Sequence, residues 1–312
     1  MQNSPIFSII TPTFNRAHTL HRVYASLVTQ TLGDFEWIVV DDGSTDNTRE
    51  QIAQWQQETH ICIHYMYKEN GGKTSALVSA IPKAAGALIL IADSDDAFLP
   101  QSLAVFNTAW QALTPEQKQH CSGIYALCQT QKGAHVGESY ASEGLFDPMR
   151  FHFGDEIGRV GENWFAMNAA MMRKHFALSE SELQLGFIPE SHFWNKIIMF
   201  ERPFGVRLNQ RLRIYYTNED EPSLSVGIRH RAPWGFWFES RYVLNHYGLL
   251  LRRYPRFFCK HLLKYILFVQ HLGRGFYRGF RELDSLPVRL AFTLCYPLGF
   301  ILHKHYFGKG KP

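Results

Sequence analysis

Apolar and polar positions over the first hundred residues switch between two periods. Residues 6–11 form a short, nearly unbroken apolar run that Pro12 stops, the pattern of a buried strand. Over residues 19–31 the apolar positions Leu20, Val23, Tyr24, Leu27 and Val28 fall three and four apart, which predicts an amphipathic helix. A second apolar run at residues 37–40 ends in Asp41-Asp42-Gly43-Ser44-Thr45-Asp46, and helical spacing returns over residues 48–58. Residues 61–67 alternate as a third strand and break at Glu69-Asn70-Gly71-Gly72. Residues 74–84 read as helix despite Pro82. Residues 87–92 are a fourth strand, closed by Asp93-Ser94-Asp95-Asp96, and Leu99-Pro100 opens the next helix. Strand and helix therefore alternate four times, which calls for an α/β fold with a mostly parallel sheet and helices on both faces. Ligands of such sheets bind outside the carboxyl ends of the strands. Three strands here end in polar loops, at Thr13 to Asn15, at Asp41-Asp42 and at Asp93 to Asp96, and all three are expected to open onto one crevice.

The last loop carries three carboxylates in four positions. Such crowding of like charge is costly unless a cation sits among them. Hard oxygen donors on a short loop suit Mg2+ or Mn2+, which keep waters and share the site with substrate phosphates. The competing reading is a solvated acidic turn between a strand and a helix. Asp42, acceptor-only when ionised, suits the ring N–H of a uracil or the hydroxyls of a ribose. Capping by Ser44 or Asp46 accounts for part of the same loop, but not for two adjacent aspartates at a strand end. Gly71-Gly72-Lys73-Thr74 is not a phosphate-binding P-loop, because Tyr67 stands where that pattern needs glycine. Lys73 remains either a phosphate or sugar contact at a helix start or an exposed lysine.

Composition changes the picture in one respect. The chain has 312 residues, enough for one large or two modest domains. Its net charge of +4 hides a split, −8 through residue 228 and +12 from residue 229 onward. Five cysteines without a C-x-x-C pair argue against structural zinc and a disulfide framework. The amino terminus shows no basic, apolar leader, so a reduced cytoplasmic setting is expected.

Ser8-Ile9-Ile10-Thr11-Pro12-Thr13-Phe14-Asn15-Arg16, Val39-Val40-Asp41-Asp42-Gly43-Ser44-Thr45-Asp46, Asn70-Gly71-Gly72 and Ala92-Asp93-Ser94-Asp95-Asp96 together resemble the family 2 glycosyltransferases. Each motif is common alone; the family has all four in this order and spacing. The resemblance is close over about the first hundred residues and looser to residue 228. It implies the GT-A fold, a Rossmann-like sheet flanked by helices, over residues 1–228, with a helical extension over residues 229–312. It also implies that Pro12, Thr13 and Asn15 line a nucleotide pocket and that Asp42 reads the base. Asp95 then ligates the metal, with Asp93 beside the sugar or the metal. The implied reaction transfers one sugar, with inversion, from a nucleotide-sugar, very often a UDP-sugar.

Inversion needs a base on the acceptor side. Glu116, Glu138, Glu143, Asp147, Asp155 and Glu156 lie in a stretch of weak periodicity. Glu190 is better placed, in the first turn of a helix that Pro189 can start, with apolar positions at Phe193, Trp194, Ile197 and Ile198. Family members often carry an acidic pair here; Ser191 replaces the second acid, so Glu190 carries the role alone. The helix dipole alone would also favour an acid at that place. Trp164 suits either sugar stacking or core packing, and residues 218–223 read as a loop that either closes over a pyrophosphate through Ser223 or Ser225 or is an exposed connection.

From residue 229 basic clusters such as Arg229-His230-Arg231, Arg252-Arg253-Tyr254-Pro255-Arg256 and Arg274-Gly275-Phe276-Tyr277-Arg278 alternate with long apolar runs. That is too apolar for a nucleic-acid arm, so no nucleic-acid partner is expected. It fits amphipathic helices on an anionic membrane, or a basic helical cap. The expected acceptor is a glycan or lipid-linked intermediate of surface-polysaccharide assembly, met on the cytoplasmic face of the membrane. A processive Gln-x-x-Arg-Trp motif does not occur. The alternatives are a nucleotidyltransferase, which would want a glycine-rich loop after the first strand, and a non-catalytic sugar-nucleotide or membrane-binding protein.

Overall fold

The computed structural model describes residues 4–154, 161–216, 232–248 and 250–307. Asp155, Glu156, Ser223, Ser225 and Arg229-His230-Arg231 lie outside the described residues. The chain divides into two compact units, Met1–Ser179 with Phe193–Glu219, and Glu180–His192 with Asp220–Pro312.

The first unit holds a nine-stranded sheet: β1 Phe7–Thr13, β2 Phe35–Asp41, β3 Cys62–Tyr67, β4 Leu88–Ile91, β5 Ala97–Phe98, β6 Cys121–Thr130, β7 Gly144–Phe146, β8 Asn163–Asn168 and β9 Phe204–Tyr215. Their order is β3-β2-β1-β4-β8-β6-β9-β5, with β7 on β9. The half built from the first ninety residues, β3-β2-β1-β4, is parallel, as its alternation with helices requires. Beyond β4 the sheet is mixed: β8 runs antiparallel to β4 and β6, and β6 runs parallel to β9. Helices α1 Ala17–Val28, α2 Thr48–Glu58 and α4 Ser102–Gln111 send Leu20, Val23, Ile52, Trp55, Leu103 and Phe106 into the core on one face. On the other face α3 Gly72–Ala80 and the helix Ala169–His175 bury Ala76, Leu77, Met171 and Met172. The helices therefore cover both faces, and each side of a strand faces its own core, as Ile9 and Ile10 of β1 illustrate.

Pro12 does not end the first strand, contrary to the expectation from sequence. Even-numbered residues of β1 face β4, since Ile6 and Ile10 accept from Leu88 and Ala92, and pairing with β4 stops at Ile10. Pro12 thus turns its missing N–H to a side where no ladder bond is needed, and β1 runs on beside β2 to Thr13. Pro82 acts where it was expected to be tolerated, but it converts the end of α3 into a 3-10 turn, Ile81–Lys83.

The described part of the second unit is helical. Its longest helix, Pro255–His271, has proline at its start and buries Phe258, Leu262, Tyr265, Ile266 and Val269, spaced as one helical stripe. Inside the unit the buried Glu239 carboxylate pairs with Lys264 and accepts from Ser191 Oγ. Burial raises the pKa of Glu239, but Lys264 and His261 outweigh it and the net direction is downward. Gly235 is needed for close approach: a Cβ there would stand 1.8 Å from the carbonyl oxygen of Phe187.

Candidate active site

The carboxyl ends of β1, β2 and β4 lie side by side, and their loops are stitched together. Asn15, in the left-handed region at φ 52°, accepts from the Thr45 backbone N–H at 2.8 Å and donates its own to Ser44 Oγ at 2.9 Å. Asparagine tolerates that conformation because its short polar side chain bonds locally. Asp46 reaches across to accept from the Ala17 N–H at 3.0 Å, so a residue of the β2 loop satisfies the start of α1. Burial pushes Asp46 up, and its bonds from Thr48 and Ala17 outweigh that and hold it lower than usual. Asp41 accepts from Ser44 N–H and Tyr65 Oη, both at 2.7 Å.

Asp42 is buried, and both of its oxygens are engaged within the chain. Oδ1 accepts from Lys68 Nζ at 2.7 Å and Gly71 N at 3.0 Å, and Oδ2 accepts from Gly72 N at 2.7 Å. The carboxylate thereby clamps the glycine loop that precedes α3, a role the sequence did not disclose. Oδ1 is thereby filled, and Oδ2 keeps one further lone pair for a ligand. Replacing Asp42 with Ala takes the ion-pair partner from Lys68, which keeps the Glu69 carbonyl, and leaves the Gly71 and Gly72 N–H groups without this acceptor, so Asp42→Ala is expected to lose about 1.5 to 3 kcal/mol of stability. Urea unfolding measures this; a midpoint unchanged from the parent would mean that the clamp contributes nothing.

Thr13 ends β1 with a buried hydroxyl that has no hydrogen-bond partner among the described residues. Pro12 is buried inside the strand, and Phe14 and Asn15 are exposed.

The acidic loop is organised around a cation that sequence reasoning missed. Arg213, on β9, is opposite Phe98 of β5 and Cys128 of β6. From there its buried guanidinium forms an ion pair with the buried Asp96 and reaches Asp93 Oδ2 at 3.2 Å. Lys73 Nζ, in the first turn of α3, meets Asp93 Oδ1 at 2.6 Å. Burial would raise Asp93, yet Lys73 and Arg213 prevail and hold it at about 2. Burial and the carboxylates of Asp93 and Asp95 push Asp96 upward, with Arg213 opposing. Arg213 itself is held firmly charged between its two acids.

Asp95 differs from both neighbours. It is half-buried, its backbone carbonyl accepts from Arg22 at 3.4 Å, and its carboxylate makes no hydrogen bond or ion pair among the described residues. No group of three or more His, Cys, Asp or Glu able to hold a metal by itself occurs among the described residues. One open carboxylate beside a second, charge-balanced one suits a cation that takes its remaining ligands from water and a diphosphate. A fully protein-caged ion does not fit this donor set.

Glu190 belongs to the second unit, in the segment Glu180–His192. The helix there is Ser191–Glu201, so Glu190 immediately precedes it instead of lying in its first turn. The bond from His192 N to the Pro189 carbonyl at 2.9 Å makes a tight turn of the residues expected to begin the helix. Glu190 is half-buried. Trp164 is a core residue: it is buried, stacks on Phe98 at 4.2 Å and donates Nε1–H to the Ile91 carbonyl at 2.9 Å. Among the other acids, Asp147 caps the helix Pro148–Phe153 and Glu143 accepts from Asn209 N.

A parallel half-sheet with acidic loops at its carboxyl ends, extended by mixed strands, is the GT-A arrangement, and over its first part the chain is similar to the family 2 glycosyltransferases. Residues 8–115 match the family model described as glycosyl transferase family 2. Among relatives, a GalNAc(5)-diNAcBac-PP-undecaprenol β-1,3-glucosyltransferase of Campylobacter jejuni is 27% identical over 146 residues, covering 45% of this chain and 44% of that protein. The matches span less than half the length of the first curated relatives, 30% to 44%. Among solved structures, S. aureus TarS 1-349 in complex with UDP superposes with a TM-score of 0.57 at 16% identity, covering 98% of this chain and 92% of that one. The mannosyltransferase PcManGT of Pyrobaculum calidifontis, in complex with GDP-Man and Mn2+, gives 0.50 at 16% identity, with 99% and 89% covered. At that identity the two structures establish likeness of fold.

Proposed function

We propose that this protein is an inverting, metal-dependent glycosyltransferase that moves a single sugar from a nucleotide-sugar, a UDP-sugar, to a hydroxyl of a glycan or lipid-linked acceptor. The observation that carries this reading is the Asp95 carboxylate, without a bonded partner among the described residues, beside the charge-balanced Asp93 at the carboxyl ends of the parallel strands. Asp95, with Asp93, would hold Mg2+ or Mn2+, and the ion when bound supplies positive charge to the departing diphosphate. Lys73, paired with Asp93 Oδ1, adds a positive charge beside it. Thr13, whose buried hydroxyl lacks a partner among the described residues, contributes the polar handle of a nucleotide pocket lined by Pro12, Asn15 and Asp42. Glu190 accepts the proton of the acceptor hydroxyl as its oxygen bonds to the anomeric carbon; the bond from that carbon to the diphosphate breaks on the opposite face, and the nucleoside diphosphate leaves with the electron pair. The Campylobacter jejuni relative, whose name gives a polyprenyl-diphosphate-linked glycan, supports a lipid-linked acceptor, and the work would then be surface-polysaccharide assembly at the cytoplasmic face of a membrane. The UDP and Mn2+ complexes of the structural neighbours support the donor and the ion.

The test is a donor screen of the purified chain with Mn2+, following release of free nucleoside diphosphate with an acceptor present. Release is expected with a UDP-sugar. Glu190→Gln, which keeps shape and donor binding, is expected to lower the transfer rate by about a hundredfold or more. Normal transfer by that variant would remove Glu190 from the chemistry, and UDP binding without turnover of any donor would leave the non-catalytic reading in its place.

A further inference from the structure

The helices Leu286–Cys295 and Leu298–Phe307 form a wedge that is apolar on both sides. Their inner side is packed. Val288 and Phe292 are buried, and the Phe276 ring meets the rings of Phe292 and Tyr296. Gly299 lets the second helix lie directly on Pro255–His271, where a Cβ would come within 2.6 Å of Ile266 Cγ2 and Gln270 Nε2. Gln270 Nε2 in turn donates to the Tyr296 carbonyl at 3.0 Å, and Phe307 stacks on His271 at 3.8 Å.

The outer side is what a water-facing helix avoids. Leu286, Leu290 and Leu294 stand four apart on one stripe of the first helix, and Leu294 is 81% exposed. Leu298, Phe300 at 64%, Ile301 at 69% and Tyr306 continue the exposure along the second. A surface helix packed on one face carries polar residues on the other. Contiguous bare apolar surface of this kind marks a binding face.

Two further facts select the occupant. The pair passes the length and hydropathy requirement for a membrane span only when its halves are taken together, and they are bent by 64°, so neither crosses a bilayer as a straight helix. The charge around it is predominantly positive: between residues 232 and 307 Arg252, Arg253, Arg256, Lys260, Arg278, Arg281 and Lys304 are exposed, and Asp284 is the one exposed acid among the described residues. Glu239 and Glu282, the other acids of that stretch, are engaged by Lys264 and by Arg274 and Arg278. Exposed aliphatic side chains flanked by cations, with Tyr277 and Tyr306 among them, complement an anionic bilayer surface: the side chains enter the acyl boundary and the cations meet the headgroups.

We propose that the wedge formed by Leu286–Cys295 and Leu298–Phe307 lies in the plane of an anionic phospholipid leaflet, inserting Leu290, Leu294, Phe300 and Ile301, with Arg278, Arg281 and Lys304 on the headgroups. This binding needs neither donor nor turnover, so it stands or falls separately from the transferase reading. The experiment is sedimentation of the full chain with vesicles of phosphatidylcholine alone or mixed equally with phosphatidylglycerol. Binding to the mixed vesicles is expected, with a partition at least about tenfold above that for neutral ones, and it should weaken as salt rises. Leu294→Glu with Ile301→Glu should reduce the partition by at least about tenfold while circular dichroism is unchanged, because both side chains are exposed. Arg278→Gln, Arg281→Gln and Lys304→Gln together should reduce the preference for the anionic vesicles by at least about threefold and leave the apolar face intact. Failure of the parent chain to sediment with the mixed vesicles would overturn the proposal. So would a lipid-free dimer that the Leu294→Glu, Ile301→Glu pair dissociates, since the face would then belong to a second copy.

Discussion

Arg213→Met is expected to lower the stability of the first unit by about 3 to 5 kcal/mol, the cost of breaking a buried ion pair from one side. Arg213 is buried on β9 and carries the charge that lets Asp96 and Asp93 stand next to Asp95. With Met in its place the volume is nearly kept, so the loss reports charge and not a cavity. Asp93 retains Lys73, but Asp96 loses its ion-pair partner in a site that burial and two neighbouring carboxylates already make hostile to negative charge. Protonation of Asp96 recovers part of the loss, which keeps the expectation within this range. Arg213→Lys retains a charge on a shorter donor without the planar fork and is expected to lose less. Urea unfolding of the three proteins decides the matter; a loss below 1 kcal/mol for Arg213→Met would show that the acidic loop does not depend on this cation.

Arg213 also shows where reading the sequence ran out. The alternation of the first hundred residues is local: α2 begins and ends where its spacing places it, and the four strands pair in the parallel order their connections require. The second half of the sheet is assembled by non-local pairings. β6 meets β9 across some eighty residues, with shifts of register that no short-range pattern announces. The meeting of Arg213 with Asp93, 120 residues away, follows from the pairing of β9 with β6 and with β5, the strand just after the acidic loop. A signal was present: Arg213, one of three arginines on β9, lies between Leu212 and Ile214, and a cation held between apolar strand residues calls for a buried partner. Pro12 was misread for a similar reason, since whether a proline breaks a strand depends on which neighbour has already ended. Asp42 was legible as a site residue, but its clamp on Gly71 and Gly72 was not, because those glycines follow a third strand and a turn.

Asp95→Ala is expected to separate chemistry from folding more cleanly than any other change in the acidic loop. The Asp95 carboxylate has no bonded partner among the described residues, so its removal leaves no cation or donor stranded. It also relieves repulsion on Asp96. The stability change should therefore stay within about 0.5 kcal/mol. Asp93→Ala, by contrast, takes an ion-pair partner from Lys73 and one of two acids from Arg213. Under the proposed function, Asp95→Ala removes a ligand to the ion that shields the leaving diphosphate. Transfer should fall by about a thousandfold, equivalent to several kcal/mol of transition-state stabilisation. Calorimetric titration of Mn2+ into the UDP complex should show a matching loss of affinity, and excess EDTA should abolish transfer by the parent protein. Full transfer by Asp95→Ala, or by the parent in EDTA, would refute metal dependence through this residue. A variant that loses activity only together with its fold would instead place Asp95 with Asp96 among the structural acids of the loop.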